Sequence, residues 1–367
     1  MNDDNILATT AARVFDDLAP LATRSAAADD TWQAELWQTL EEHGMTLAAV
    51  PEHLGGAGAT LSDAFTLLTV AGRHSAPAPL AETFLAGWLL STAHMQVPRG
   101  PLSIVAADKH TELVLRPHGQ GWQLRGYARR VPWARHAEHL VLLATGDSRD
   151  YVVCVPRSAC AVVHGDNLAG EPRDDVRFDD VVLRDLQVVP AGHGIDHDAL
   201  KLMGACARAC QMAGALDRVL DLALRYVSER VQFGRALAKF QAIQHQLATL
   251  AGEAAAAAVA ADSAAIAVEA LGPALAAFDI AAAKIRCGAA AGSGAAIAHQ
   301  VHGAMGFTEE YPLHHATRRL WSWRDDFGNE AYWAERLGAQ VCVRGGDALW
   351  LSLSSPGDVT ARSSAPA

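Results

Sequence analysis

Between residues 251 and 270 the chain reads AGEAAAAAVAADSAAIAVEA, a run dominated by the strongest helix-forming residue. A helix with so few bulky side chains buries little apolar surface by itself. It becomes stable only where other helices approach closely, and small residues permit that approach. Just before it, Leu237, Phe240, Ile243, Leu247 and Leu250 recur at three and four residues and form one core-facing stripe. Residues 196 to about 345 are therefore expected to form long helices in an up-and-down bundle.

Two other textures precede this one. Residues 1 to 99 read as helices, with Trp32, Leu36 and Leu40 spaced by four and a Pro/Gly loop, VPEHLGGAG, at 50 to 58. LSDAFTLLTVAG and PLAETFLAGWLLSTA are two further helices with Ser/Thr- or Pro-containing starts. From 100 to 193 the runs LSIVA, ELVLR, GWQLRG, EHLVLLA, YVVCV and VRFDDVVL are short, rich in Val and Leu, and broken by Gly, Asp, Pro or Ser. Strands so closely spaced predict an antiparallel barrel or sandwich. The expected class is α+β and mainly α: a helical domain at 1–99, a β domain at 100–193, a helical domain at 194–345. The polar, Pro/Ser-rich end at 346–367 is expected to be a loose tail.

Composition narrows the classes of function. At about 150 residues per domain, 367 residues make two or three domains. A chain that is half hydrophobic and 19% charged is not a disordered linker. A net charge of -11 repels nucleic-acid phosphates, so no nucleic-acid partner is expected. Six scattered cysteines without paired spacing fit a reducing cytoplasm. The start, MNDDN, lacks the order of a signal peptide. The longest uncharged apolar run, Thr83 to Pro98, carries His94 and Gln96 and is too short to cross a membrane. The expectation is a soluble cytoplasmic protein.

Several chemistries can be set aside. The sequence has no GxGxxG after a strand, no GxSxG elbow and no Walker A loop, and Gly292-Ser293-Gly294 lies inside an Ala-rich helical run. His299, His302, His314 and His315 lack a Cys or carboxylate partner at ligand spacing, so packing or surface roles are favoured and no metal is expected. Cys206 and Cys210 are expected to be small buried hydrophobes. Two stretches stand out. In RYVSERVQFGRALAKFQAIQHQLATL (225–250), Arg230 followed by Phe233 and Gly234 either presents a guanidinium fork to a phosphate or marks a plain helix-helix turn stopped by Gly234. In QVHGAMGFTEEYPLHHATRRLWSWRDDFGNEAYW (300–333), Gly303 and Gly306 either bare backbone amides to a pyrophosphate or make an ordinary turn. Physical chemistry alone leaves the first pair level and the second open.

Taken together, these stretches resemble the flavin-dependent acyl-CoA dehydrogenase family over about residues 30 to 345. DTWQAELWQTLEEHGMTLAAVPEHLGGAGATLSDA is similar to that family's opening helices and P-E-x-x-G-G-x-G loop. GWQLRGYARRVPWARHAEHLVLLA is similar to its W-x-L-x-G-x-K stretch, ERVQFGRALAKFQAIQHQLA to its E-R-x-x-F-G…F/H-Q motif, and QVHGAMGFTEEYPL to its Q-x-x-G-G-x-G-F motif. The resemblance implies a C-terminal four-helix bundle and FAD bound at a subunit interface. It implies contacts to a neighbouring subunit's FAD from Arg230, Phe233, Gln241, Gln300, Val301, His302, Gly303 and Ala304, with Asn329 joining the flavin site. Ala304 stands where the family motif has Gly. The implied reaction is α,β-dehydrogenation of an acyl-CoA or acyl-carrier thioester in lipid metabolism, with an electron-transfer flavoprotein as acceptor.

The chain departs from the family where the chemistry happens. The reaction needs a carboxylate to take the α proton while the β hydride goes to flavin. Counting from Pro312 through Arg318 places Phe327 at the usual position of that Glu; counting back from Arg230 places Gly204 at the alternative one. Asp325, Asp326, Glu309, Glu310 and Glu330 lie nearby, and Asp326 is the candidate base, with a salt bridge to Arg324 as its competing role. The family's T-E-P-x-x-G-S-D stretch is missing between 99 and 121, where the chain reads RGPLSIVAADKHTELVLRPHGQG. Three functions follow: an active dehydrogenase with a displaced base, a non-catalytic subunit completing the FAD site of a homologous catalytic partner, or non-redox thioester chemistry. The expected assembly is a homo-oligomer or a heteromer with such a partner.

Overall fold

The computed structural model describes residues 6–20, 32–106, 111–147, 149–347 and 349–350. The N-terminal part holds α1 (Ile6–Leu18), α2 (Ala34–Glu42), α3 (Leu61–Arg73) and α4 (Leu80–Thr92). The loop before α3 ends in a capping box: Asp63 N donates to Thr60 Oγ1 (3.0 Å) and Thr60 N donates to Asp63 Oδ2 (3.2 Å). Trp32 lies ahead of α2 and stacks on His136 of the β region, ring centroids 5.4 Å apart.

Eight strands follow: β1 (Leu102–Val105), β2 (Glu112–His118), β3 (Gly121–Pro132), β4 (His139–Gly146), β5 (Arg149–Pro156), β6 (Ala161–Val163), β7 (Arg173–Arg184) and β8 (Val188–Pro190). They form one sheet in the order β6-β7-β3-β2-β4-β5-β8, with β1 beside β4. Most pairs are antiparallel as expected, but β1 runs parallel to β4 from Leu102↔His139 to Val105↔Leu142. The reason is topological: the β2–β3 hairpin intervenes between them. In β4 the faces alternate between two cores. Leu140 and Leu142 point into the interior shared with Phe178 and Val153, while Val141 and Leu143 join the main helical core. Both faces being covered explains the nearly unbroken apolar run HLVLLA.

The helical part holds α5 (His197–Glu229), α6 (Gln241–Leu271), α7 (Ala277–His302), α8 (Leu313–Asp325) and α9 (Glu330–Arg344). α5 packs against α3, α4, α6, α7 and α8. The Leu247–Leu250 stripe of α6 continues through Ala254, Ala257, Ala261, Ala264 and Val268, all buried. By length and composition α6 could cross a membrane, yet a third of its most apolar window lies inside the molecule. Of the expected tail at 346–367, residues 346–347 and 349–350 continue in helix, and the rest lies outside the described residues.

The crossing of α3 and α5 is set by glycine. A Cβ on Gly214 would lie 1.9 Å from the Thr69 carbonyl oxygen, and one on Gly72 would lie 2.0 Å from that of Gln211. Backbone sits on backbone there, with no side chain to give way. Gly214→Ala should therefore destabilise the chain despite its higher helix propensity, by about 1–3 kcal/mol in urea denaturation. A mutant as stable as the parent would show that the helices can separate freely.

Candidate functional site

One end of the bundle carries the residues that resemblance assigned to a flavin, all except Asn329. α5 stops at Arg230, whose backbone is extended, four residues earlier than a Gly234 stop would require. The chain then makes a small hairpin, Val231–Gln232 against Arg235–Ala236, in the register Gln232↔Arg235. Its two central residues, Phe233 (φ +51°) and Gly234 (φ +79°), are both left-handed, as a tight hairpin turn demands. Phe233 is 90% exposed. The Arg235 guanidinium lies 4.1 Å from the Phe240 ring centroid, and Leu237 N donates to Arg230 O (2.9 Å), which folds the hairpin back onto α6. Arg230 and Gln241 are exposed, and among the described residues neither side chain has a partner.

α7 ends beside this hairpin. Tyr226, one turn before Arg230, stacks on His302 with centroids 4.5 Å apart, and Tyr311 Oη donates to Leu222 O (3.2 Å). Gly303 has φ +58° and opens a short turn through Phe307, with Gln300, Gly303 and Ala304 exposed. Val301 and His302 are buried, so within the Gln300–Ala304 segment these two support the turn from inside. His302 Nδ1 hydrogen-bonds Ala298 O (2.6 Å). His299 is stacked between Phe307 and Trp321. Burial holds both imidazoles below their usual range. His314 and His315 lie ring against ring, 4.1 Å apart. These histidines pack.

The two positions at which resemblance expects a base, 204 and 327, lie toward the other end of α5. Phe327, in the connection between α8 and α9, has φ +56° and rests against Gly204. A Cβ on Gly204 would come within 2.3 Å of its ring. Two positions 123 residues apart in the numbering (327 − 204) thus converge on one point, and no carboxylate stands there. The connection is tied down on every side. Lys284 of α7, fully buried, donates to Arg324 O (2.7 Å), Gly328 O (2.8 Å) and Trp323 O (3.3 Å). Burial pushes its ammonium down to about 8. Trp333 Nε1 donates to Phe327 O (3.2 Å), and Asn329 caps α9 by accepting from Tyr332 N (3.1 Å). Helix capping accounts for the Asn329 side chain.

Asp326 is not paired with Arg324, which binds Glu330 instead. It accepts from Arg173 Nη2 (2.9 Å) and Arg208 Nε (3.0 Å). Arg208 also donates to Glu82 (2.6 Å) and Gln211 (2.5 Å), while Glu171 accepts from Trp323 Nε1 (3.0 Å) and lies 3.2 Å from Arg319. Burial raises the Asp326 carboxyl, but Arg173 and Arg208 outweigh it and hold it at about 2. A carboxylate so firmly ionised has little affinity for a substrate proton. Asp325, Glu309 and Glu310 are exposed. The sequence did not single out Glu82, Glu171, Arg173, Arg208 or Lys284. The usable signal was a lone charge in an otherwise small or apolar run: Arg208 in GACARACQMAG, Glu82 in PLAETFLAGWLL, Lys284 in IAAAKI.

Gly204 and Arg230 are 26 residues apart on one helix (230 − 204), about 39 Å at the α-helical rise. The exposed donors and the base positions of one chain therefore do not meet.

Comparison with known proteins fits this architecture. Residues 2–93 match the model of the acyl-CoA dehydrogenase N-terminal domain and residues 199–331 that of the C-terminal domain. The chain belongs to the acyl-CoA dehydrogenase family of flavoproteins. It is 29% identical over 313 residues to acyl-CoA dehydrogenase IpdE2 of Mycobacterium tuberculosis, covering 83% of this chain and 86% of that one. It is 28% identical over 355 residues to FadE28 of the same organism, covering 89% and 99%. Its fold is similar to a chain of the ChsE4-ChsE5 complex from Mycobacterium tuberculosis, with TM-score 0.83, 19% identity and coverage of 94% and 99%. Butyryl-CoA dehydrogenase from Megasphaera elsdenii aligns with TM-score 0.81, 18% identity and coverage of 92% and 98%.

The Asp326 geometry has a pH signature. A carboxyl depressed to about 2 in the folded chain and near 4 when unfolded stabilises the fold above pH 4. That contribution fades as pH falls from about 4 toward 2. Asp326→Asn should lose about 2–3 kcal/mol at neutral pH, the linkage value of that depression, since Arg208 and Arg173 each lose one carboxylate but keep Glu82 and Glu171. Its stability should also vary less with pH between 4 and 2, by denaturant titration at each pH. A neutral-pH loss below 1 kcal/mol would mean that the pair is not buried as described.

Proposed function

We propose that this chain is a subunit of a flavin-dependent acyl-CoA dehydrogenase that completes the FAD site of a homologous partner and does not itself dehydrogenate a thioester. The observation that carries this reading is the convergence of Gly204 and Phe327 on one point without a carboxylate. FAD, when bound, supplies the hydride acceptor for Cα–Cβ oxidation. The accompanying α proton needs a positioned base, worth about a hundredfold to ten-thousandfold in rate. An apolar ring cannot accept it, and Asp326 is committed to two guanidiniums.

The opposite end of α5 suits a lending role. Arg230 offers a fork to a pyrophosphate, Gln241 and Gln300 offer amides, and Gly303 and Ala304 expose backbone close to a ligand. Phe233, at the hairpin tip, reaches outward from its own chain. With about 39 Å of helix between the two ends, no single flavin dinucleotide spans both. That separation supports a site shared between chains, with the substrate thioester and an electron-transfer flavoprotein serving the catalytic partner. The exposed face of α6 bears Val259 (70% exposed) and Ile266 (63% exposed), seven residues and thus two turns apart. An apolar stripe of this kind suits pairing with a homologous helix. The likeness to a chain of the ChsE4-ChsE5 complex adds support for a heteromer.

Purified alone, the chain should carry well under one FAD per chain by its visible spectrum. Co-purified with a homologous base-bearing subunit, it should retain FAD in a dimer or tetramer by light scattering. Arg230→Ala in that complex should lower FAD content several-fold with an unchanged circular-dichroism spectrum. One FAD per isolated chain, reduced by an acyl-CoA, would overturn the reading.

A further inference from the structure

Resting on that reading only for the identity of the two base positions, the geometry points to a thioester site that this chain has sealed from within. Where residues 204 and 327 converge, a base would stand with the substrate Cα beside it, because a base at either place must touch the α proton. That point is filled by the Phe327 ring, closer to Gly204 than any side chain there would tolerate. The ring is not a loose lid. Its own carbonyl accepts from Trp333, and the carbonyls of Arg324 and Gly328 around it accept from Lys284.

Behind the ring the seal continues as charge. Residues 204, 208 and 211 share one face of α5, one and two turns on from the base position. Arg208 uses all three nitrogens there, on Asp326, Gln211 and Glu82, and Glu82 and Arg208 are both buried. Asp326 carries the network across to Arg173 of the sheet. An acyl chain entering this space would have to part paired, buried ions and leave them without partners, which is far worse than leaving the chain in water. The apolar plug and the ionic plug thus act on the same tenant: the plug fills the reacting position and the ions exclude the tail.

The test uses the full chain, with free CoA, butyryl-CoA and octanoyl-CoA as probes in isothermal titration. The wild type should bind neither thioester tighter than free CoA. Phe327→Ala should make butyryl-CoA tighter than free CoA by about 15- to 60-fold, the value of burying two or three methylenes. Octanoyl-CoA should gain no more than butyryl-CoA, because the ions behind the ring remain. A packing test runs alongside by thermal melting. Gly204→Ala should lower the Tm of the wild type but not that of Phe327→Ala. Octanoyl-CoA binding the wild type tenfold tighter than free CoA would overturn the seal, as would equal Gly204→Ala effects in both backgrounds. No thioester binding together with an Arg230→Ala complex that keeps its FAD would leave the seal standing and remove the subunit reading instead.

Discussion

The guanidinium of Arg208 is where the three parts of this molecule meet. It sits on α5, reaches Glu82 of α4, and shares Asp326, at the end of α8, with Arg173 of the sheet. Glu171 extends the same network to Arg319 and Trp323. Taking so many charges out of water is expensive, and a buried ion pair adds little net stability over apolar residues of the same shape. What it adds is position. Each acid and base has its partner at only one mutual placement of helices and sheet, so any shift of one part strands a charge in another.

That placement governs the candidate site at both ends of α5. Near its start, the network fixes Asp326 and so the neighbouring Phe327, while Lys284 fixes the backbone on either side. Near its end, among the described residues, α5 is held by ion pairs of Asp217 and Asp221 to Arg73 and by the Tyr226–His302 stack, none of which reaches the hairpin. The hairpin is held by its own turn and by Arg235 on Phe240, and it leaves Arg230, Gln241 and Phe233 facing outward. One helix thus joins a closed, internally satisfied end to an open end with unpaired donors. On the proposed function, the first is what remains of a site and the second is what is lent to another chain.

Much of the fold was legible because its signals are local. The Ala-rich run, the alternation from 100 to 193 and the capping residues before α3 each depend on a few neighbouring residues. The parallel pairing of β1 with β4 was not, since it depends on a hairpin inserted between them. At the site, motif counting placed Phe327 and Gly204 separately, and only the fold showed them touching. The partner of Asp326 was missed for the same reason: Arg324 is near in sequence, whereas Arg173 and Arg208 are 153 and 118 residues away. Val301 and His302 were expected to join the exposed motif, but at the end of α7 successive side chains point in different directions, and these two point inward.

The Gly204–Phe327 pair poses a question of energy whose answer bears on function. A non-glycine residue in the left-handed region costs roughly 1–2 kcal/mol. A glycine inside a helix costs about 1 kcal/mol relative to alanine. Against these, burying a phenylalanine ring contributes at most about 1.5–3 kcal/mol. The terms nearly cancel. Glycine or asparagine at 327 would relax the backbone, and alanine at 204 would strengthen α5, so stability alone does not select this combination. What the pair does provide is occupancy: a ring, held by three neighbouring hydrogen bonds, which on the proposed function stands where a thioester would otherwise meet its base.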